Sequence, residues 1–132
     1  MLKYMLDTNI IIYTIKNRPR KVRDTFNQHE GQMCISAITR GELIYGVENS
    51  TQPKKNLEIV NGLLARLEIA PFEEYAADHF GQLRAELYKK GKPIGPYDML
   101  IAGHARAMGL ILITNNTKEF ERVPGLRIQN WA

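Results

Sequence analysis

Leu110-Ile111-Leu112-Ile113-Thr114, followed by Asn115-Asn116, is the stretch on which the fold turns. An apolar, β-branched run without polar alternation reads as a strand covered on both faces, as in a parallel sheet with helices above and below it. The residues on either side fit that setting. Asp98 opens a helix that stops at Gly109, and the two asparagines lead into a short helix over Thr117 to Arg122.

Reading outward, the alternation continues. Tyr75 to Lys90 is an amphipathic helix burying Ala76, Phe80, Leu83 and Leu87, and Gly91 ends it. Glu68 to Phe72 is a short strand. Lys54 to Leu67 places Leu57, Val60, Leu64 and Leu67 on one helical face. Met33 to Ser36 is a strand, and Ser36 caps a helix running to about Glu48. Arg20 to His29 is a helix after Pro19. Lys3 to Leu6 is the first strand. The run Ile10 to Ile15 fits strand or helix by periodicity alone. The helix-start cluster Asp7-Thr8-Asn9 and the charged continuation to Asn17 favour helix. Pro124-Gly125 turns the chain into an edge strand near Leu126 to Ile128. Strands separated by helices predict an α/β fold with a mainly parallel central sheet, and a single domain spans residues 1–132.

Composition narrows the class. With 132 residues, 44% of them hydrophobic and 24% charged, the chain is of ordinary globular make-up. Its one cysteine, Cys34, lies in the apolar run Met33-Cys34-Ile35, so an internal disulfide is impossible and a buried thiol is expected. That usage suits a reducing cytoplasm. Asp7 interrupts the first apolar stretch, no small-residue cleavage site follows it, and no run approaches the roughly 18 residues of a membrane span. A cytoplasmic protein without a membrane partner is the expectation. The formal charge of +4 permits nucleic-acid binding. Two basic clusters, Lys16 to Arg23 and Arg84 to Lys92, read equally well as RNA-backbone contacts or as solvated helix faces.

In open parallel sheets, ligands bind beyond the carboxyl ends of the strands, where strand order reverses. Asp7 directly follows the first strand, and Asn116 follows the strong one. Asp98 begins a helix that runs back antiparallel, so its start lies at the same rim. Glu42 shares a helix face with Ile38, Tyr45 and Gly46, where a carboxylate is costly without a partner. Each has an ordinary alternative: Asp7 and Asp98 as helix caps, Glu42 in a capping box with Thr39, Asn116 as a turn residue. Together they form one acidic rim. Clustered carboxylates stay ionised only beside a cation, and all-oxygen ligands select hard ions such as Mg²⁺ or Mn²⁺. Such an ion activates water for phosphodiester hydrolysis without a protein nucleophile. His29, His79 and His104 lack any metal-ligand spacing, although His104 lies two turns along the helix from Asp98. No phosphate-cradling glycine loop exists. A dehalogenase-like phosphatase would need an aspartate where Asn9 stands. A receiver domain would need an acidic pair and a late lysine, and neither is evident.

Four segments together resemble the PIN-domain nucleases, in particular the VapC-type toxins of bacterial toxin–antitoxin pairs. Met5-Leu6-Asp7-Thr8-Asn9 is similar to their opening motif. Thr39 to Gly46 resembles their E-L-x-x-G helix, Pro96 to Ala102 their D-x-x-I-A helix, and Thr114 to Phe120 their T-x-N-x-x-E-F turn. The four occur in the family's order. The resemblance implies a three-layer α/β/α sandwich and a Mg²⁺- or Mn²⁺-dependent endoribonuclease. It implies Asp7, Glu42 and Asp98 as the core acidic residues, with Asp7 and Asp98 the direct metal ligands. The fourth acidic position of the family falls on Asn116, which carries no charge, and Glu119 is near enough in sequence to compensate. The resemblance also implies a homodimer neutralised by a VapB-type antitoxin, operator DNA bound only through that antitoxin, and tRNA as substrate. The branch it most resembles is associated with the anticodon region of initiator tRNA. The competing reading is an inactive PIN-like RNA-binding or scaffold module, against which the retained acidic cluster argues.

Overall fold

The computed structural model describes Met1–Ala132. Its elements run β1 (Tyr4–Leu6), α1 (Thr8–Lys16), α2 (Arg20–Gln28), β2 (Met33–Ser36), α3 (Ala37–Glu48), α4 (Pro53–Leu64), β3 (Glu68–Ala70), α5 (Glu74–Lys89), α6 (Pro96–Met108), β4 (Ile111–Ile113), α7 (Thr117–Phe120) and β5 (Ile128–Gln129). The strands form one sheet in the order β3-β2-β1-β4-β5, and every pairing is parallel.

Period-two alternation sorts the strand side chains into two cores. Tyr4, Leu6, Ile35 and Ile113 face the layer of α1 to α4, where Ile10, Phe26, Leu43 and Val60 complete the packing. Met5, Cys34 and Leu112 face the other layer, with Leu83 and Leu87 of α5, Ile101 of α6 and Phe120 of α7. The expected three-layer α/β/α sandwich is therefore present. Both faces of β1, β2 and β4 are buried, which explains their unbroken apolar runs. Cys34 is one of these core residues, and burial and then the nearby Glu68 charge push its thiol up to about 12. Helices α5 and α6 approach closely at Gly103, where an added Cβ would stand 2.7 Å from the Phe80 nitrogen.

The differences from the sequence reading are local. Helix α6 begins at Pro96, two residues before Asp98, because proline suits the first helical position, where its missing N–H has no intrahelical acceptor. Helix α4 ends at Leu64 instead of Leu67, and β5 starts at Ile128 instead of Leu126. The last strand is short because it pairs on one edge only. No helix is long and apolar enough to cross a membrane.

Candidate active site

Strand order reverses at β1, whose neighbours are β2 on one side and β4 on the other. The carboxyl ends of β1 and β4 lie side by side, with Leu6 in register with Ile113. The next residue on each strand is polar and buried: Asp7 after β1, Thr114 after β4. The Asp7 N–H continues the ladder by donating to the Ile113 carbonyl at 2.8 Å, which fixes the backbone from which the carboxylate projects.

Asp7 does two jobs at once. It is the N-cap of α1, and Oδ1 accepts from the Thr8 N–H at 2.8 Å. Its other oxygen, Oδ2, accepts from Thr114 Oγ1 at 2.9 Å. The capping role and the acidic-rim role are thus compatible. Burial is the main influence on its acidity and raises the pKa; the Thr114 and Thr8 hydrogen bonds oppose that, and the Glu42 charge adds to it.

Glu42 is held by Thr8, whose Oγ1 donates to Oε1 at 2.7 Å. No capping box forms with Thr39, because Ser36 is the N-cap of α3 and Glu42 lies well inside the helix. One expectation needs correction. The face shared with Ile38, Tyr45 and Gly46 is not a buried apolar face. The buried stripe of α3 is Thr39, Leu43 and Val47, whereas Tyr45 is 71% exposed. Glu42 is half-buried and lines an open cavity, so no desolvated core position forces a partner on it.

Asp98 does not cap its helix. The N-cap is Gly95, and Asp98 sits in the first turn of α6. Its carboxylate turns back toward that end: an added Cβ on Gly95 would lie 3.6 Å from Oδ2. The partial positive charge at a helix N-terminus favours an anion there. That aid is insufficient, since Asp98 is pushed up to about 7, first by burial, then by the charges of Asp7, Glu119 and Glu42, and by a hydrogen bond with Glu119. Asp98 thus feels the charges of the three other rim carboxylates, and Asp7 feels that of Glu42.

Asn116 and Glu119 complete the rim. Asn116 is the residue before α7, its N–H donates to Thr114 Oγ1 at 3.0 Å, and its Nδ2 donates to Glu119 Oε2 at 3.1 Å. The amide thus holds the acid whose charge acts on Asp98. Thr8 and Thr114 are the residues the sequence reading left without a role. Their signal was present, since each adjoins a rim residue at a strand end.

His104 is structural. It is 2% exposed, its Nδ1 lies 2.8 Å from Ser36 Oγ, and its ring meets Phe72 edge-on. Burial lowers its pKa, against the opposing influence of a hydrogen bond to the Pro71 backbone.

The donor set suits a hard divalent cation. No lysine or arginine neutralises the rim, and the chain's one salt bridge is the distant Arg66–Glu30 pair. The carboxylates do not close into a cage, for no three acidic, histidine or cysteine side chains already gather at an ion-holding point. A cation that keeps several waters and uses one or two carboxylates requires no such cage.

An acidic rim at the switch point of a parallel α/β/α sandwich is the frame, and comparison with known proteins supplies the family. The chain belongs to the PIN-domain family, whose family model matches residues 4–126. Within it the similarity is to VapC proteins. The chain is 55% identical to the "tRNA(fMet)-specific endonuclease VapC" of Shigella flexneri, over 100% of both chains. Identity to the protein of the same description from Salmonella typhimurium is 56%, again over 100% of both. Among solved structures, DNA-bound VapBC from Salmonella typhimurium superposes with a TM-score of 0.96 at 55% identity, covering 100% of each chain.

Proposed function

We propose that this chain is the toxin of a VapBC-type pair, an endoribonuclease that hydrolyses RNA phosphodiesters with Mg²⁺ or Mn²⁺ and so blocks translation in the cytoplasm. The observation that carries the reading is the rim of Asp7, Glu42, Asp98 and Glu119, mutually repelling and without a protein cation. Asp7 and Asp98 would hold the ion. When bound, it would supply Lewis-acid help to the scissile phosphate and acidify a water.

The remaining work belongs to the chain's own side chains. Thr114 and Thr8 fix the orientation of Asp7 and Glu42 through charge-assisted hydrogen bonds. Asn116 positions Glu119. The raised pKa of Asp98, with the Glu119 charge among its causes, gives a proton a place to reside at the rim. No serine, cysteine or histidine nucleophile takes part.

The substrate we assign is initiator tRNA, on the strength of full-length identity above half to two endonucleases described as specific for it. A VapB-type antitoxin is the assigned partner, and operator DNA is reached through that antitoxin, since the similar Salmonella typhimurium complex was solved bound to DNA. Homodimerisation belongs to the same proposal. The test is end-mapping of cellular RNA after brief expression of the chain beside Asp7→Ala. One cut in the initiator tRNA, absent in the variant and abolished in vitro by EDTA, is the expected result. RNA binding without cleavage by the native chain would favour the scaffold reading.

A further inference from the structure

The mouth of the site carries a feature that phosphodiester hydrolysis does not use. A cavity of about 760 Å³ opens beside the carboxylates, and Glu42 and Thr8 belong to its wall. Two tyrosines, Tyr45 and Tyr97, line it as well. Each is attached to the machinery: Tyr45 follows Glu42 by one turn of α3, and Tyr97 directly precedes Asp98 on α6. Tyr45 is 71% exposed and Tyr97 60%, and neither belongs to either hydrophobic core.

Tyrosine presents a large flat face with a polar tip at little entropic cost, which suits it to contact a planar guest at a wet surface. Gly41 and Ala37 also line the cavity, so small side chains leave room for a planar guest. No lysine or arginine lines it, which makes it unsuited to a phosphate. The other exposed tyrosines, Tyr75 and Tyr88, stand on α5 and do not line the cavity, and Tyr88 has the Arg84 guanidinium 5.6 Å from its ring. They have no such connection to the acidic rim.

We infer that Tyr45 and Tyr97 form a subsite for an unpaired nucleobase next to the scissile phosphate, stacking it so that the phosphate is delivered to the carboxylates. The inference deepens the ribonuclease reading and takes its choice of ligand from it. Aromatic stacking of splayed bases is the usual way a protein reads single-stranded RNA, and it fits a cavity that is aromatic and uncharged except at its catalytic edge. The subsite would also select loops over duplex, since a paired base cannot enter.

The test uses the full chain in EDTA and a short single-stranded RNA with 2-aminopurine placed at one position at a time. Stacking on a tyrosine quenches that base, so a quench confined to one or two positions is expected. Tyr45→Leu and Tyr97→Leu should each weaken binding by about tenfold and lose the quench. Tyr45→Phe and Tyr97→Phe should keep both, because stacking needs the ring and not the hydroxyl. Three results would overturn the inference: leucine variants that quench as the native chain does, phenylalanine variants that fail like leucine, or leucine variants whose molar mass by light scattering falls, which would make the rings a contact between copies. A native chain that leaves RNA uncut in Mn²⁺ would instead remove the ribonuclease reading, and the metal-free quench would still decide the subsite.

Discussion

The two halves of the acidic rim are built on opposite plans. At the β1–β4 half, both Asp7 oxygens are hydrogen-bonded, one by a backbone N–H and one by Thr114, and Glu42 is held by Thr8. At the α6–α7 half, Asp98 faces Glu119 and two further carboxylates with only a helix end in its favour. The first half is finished by the fold. The second is left in electrostatic debt that only a cation or a proton can settle. Under the proposed metal-dependent reading, a nuclease would gain from this division, because an ion would enter a frame hydrogen-bonded on one side and attractive on the other.

The strongest way to break the comparison is to remove a carboxylate from each half. Asp7→Asn and Asp98→Asn should both lower RNA cleavage by about a thousandfold, since metal assistance contributes several kcal/mol to the transition state. Equal losses in a single-turnover assay mean that both halves serve one ion. A variant that still cuts at the native rate removes its half from the site.

Ion binding should register in stability before any chemistry occurs. Mn²⁺ at a hundred times its dissociation constant should stabilise the native chain by about 2.7 kcal/mol. Asp98→Asn should abolish most of that gain in a thermal melt. An undiminished shift in the variant would place the ion elsewhere.

Next in size is Thr114→Val, which keeps the shape of the buried side chain and removes its hydroxyl. The Asp7 oxygen loses its donor, so stability should fall by about 1–3 kcal/mol, with cleavage reduced as well. The metal-free Asp98→Asn variant should move the other way, gaining up to about 1 kcal/mol at neutral pH after solvent screening. The sign follows from the raised pKa of Asp98. Its native carboxyl binds a proton more tightly than the unfolded one, so its ionisation costs stability progressively as pH rises from about 4 towards about 7. The gain in Asp98→Asn should therefore grow over that window in pH-dependent denaturant melts.

The smallest effect sets a control on the same helix. His104 has a lowered pKa, so the unfolded chain takes up its proton first and stability falls as pH drops through about 6.5. His104→Gln should flatten that part of the profile and leave the Asp98 part in place. If it removed both, the two groups would be coupled and the mouth would not be an independent unit.

The sequence carried the architecture because the buried strands announce themselves. Leu110 to Thr114 has no alternation to misread, and Ser36, Gly91 and Gly109 mark helix ends by chemistry that a neighbour cannot override. Its errors came where a boundary depends on context. Proline at the first turn moved the start of α6 ahead of Asp98, and the one-sided pairing of β5 displaced its start. The rim was legible as a set of positions, since strand ends and helix starts converge by topology. The use of each position was less so. Nothing in the sequence said that Glu42 faces an open cavity, because helical spacing names a face without naming what covers it. Thr8 and Thr114 were hidden for a similar reason: a hydroxyl's partner is chosen in three dimensions, and theirs lie 34 and 107 residues away.

That last separation bears on how a cell tolerates the gene's product during synthesis. Asp7 is synthesised 107 residues ahead of the hydroxyl that orients it, and β4, the strand that flanks it, is made equally late. A nascent or truncated chain carries the first acid without β4 to hold it. The frame that orients the first acid therefore waits on the synthesis of Thr114, and Asp7 alone on a ribosome stands outside any finished rim.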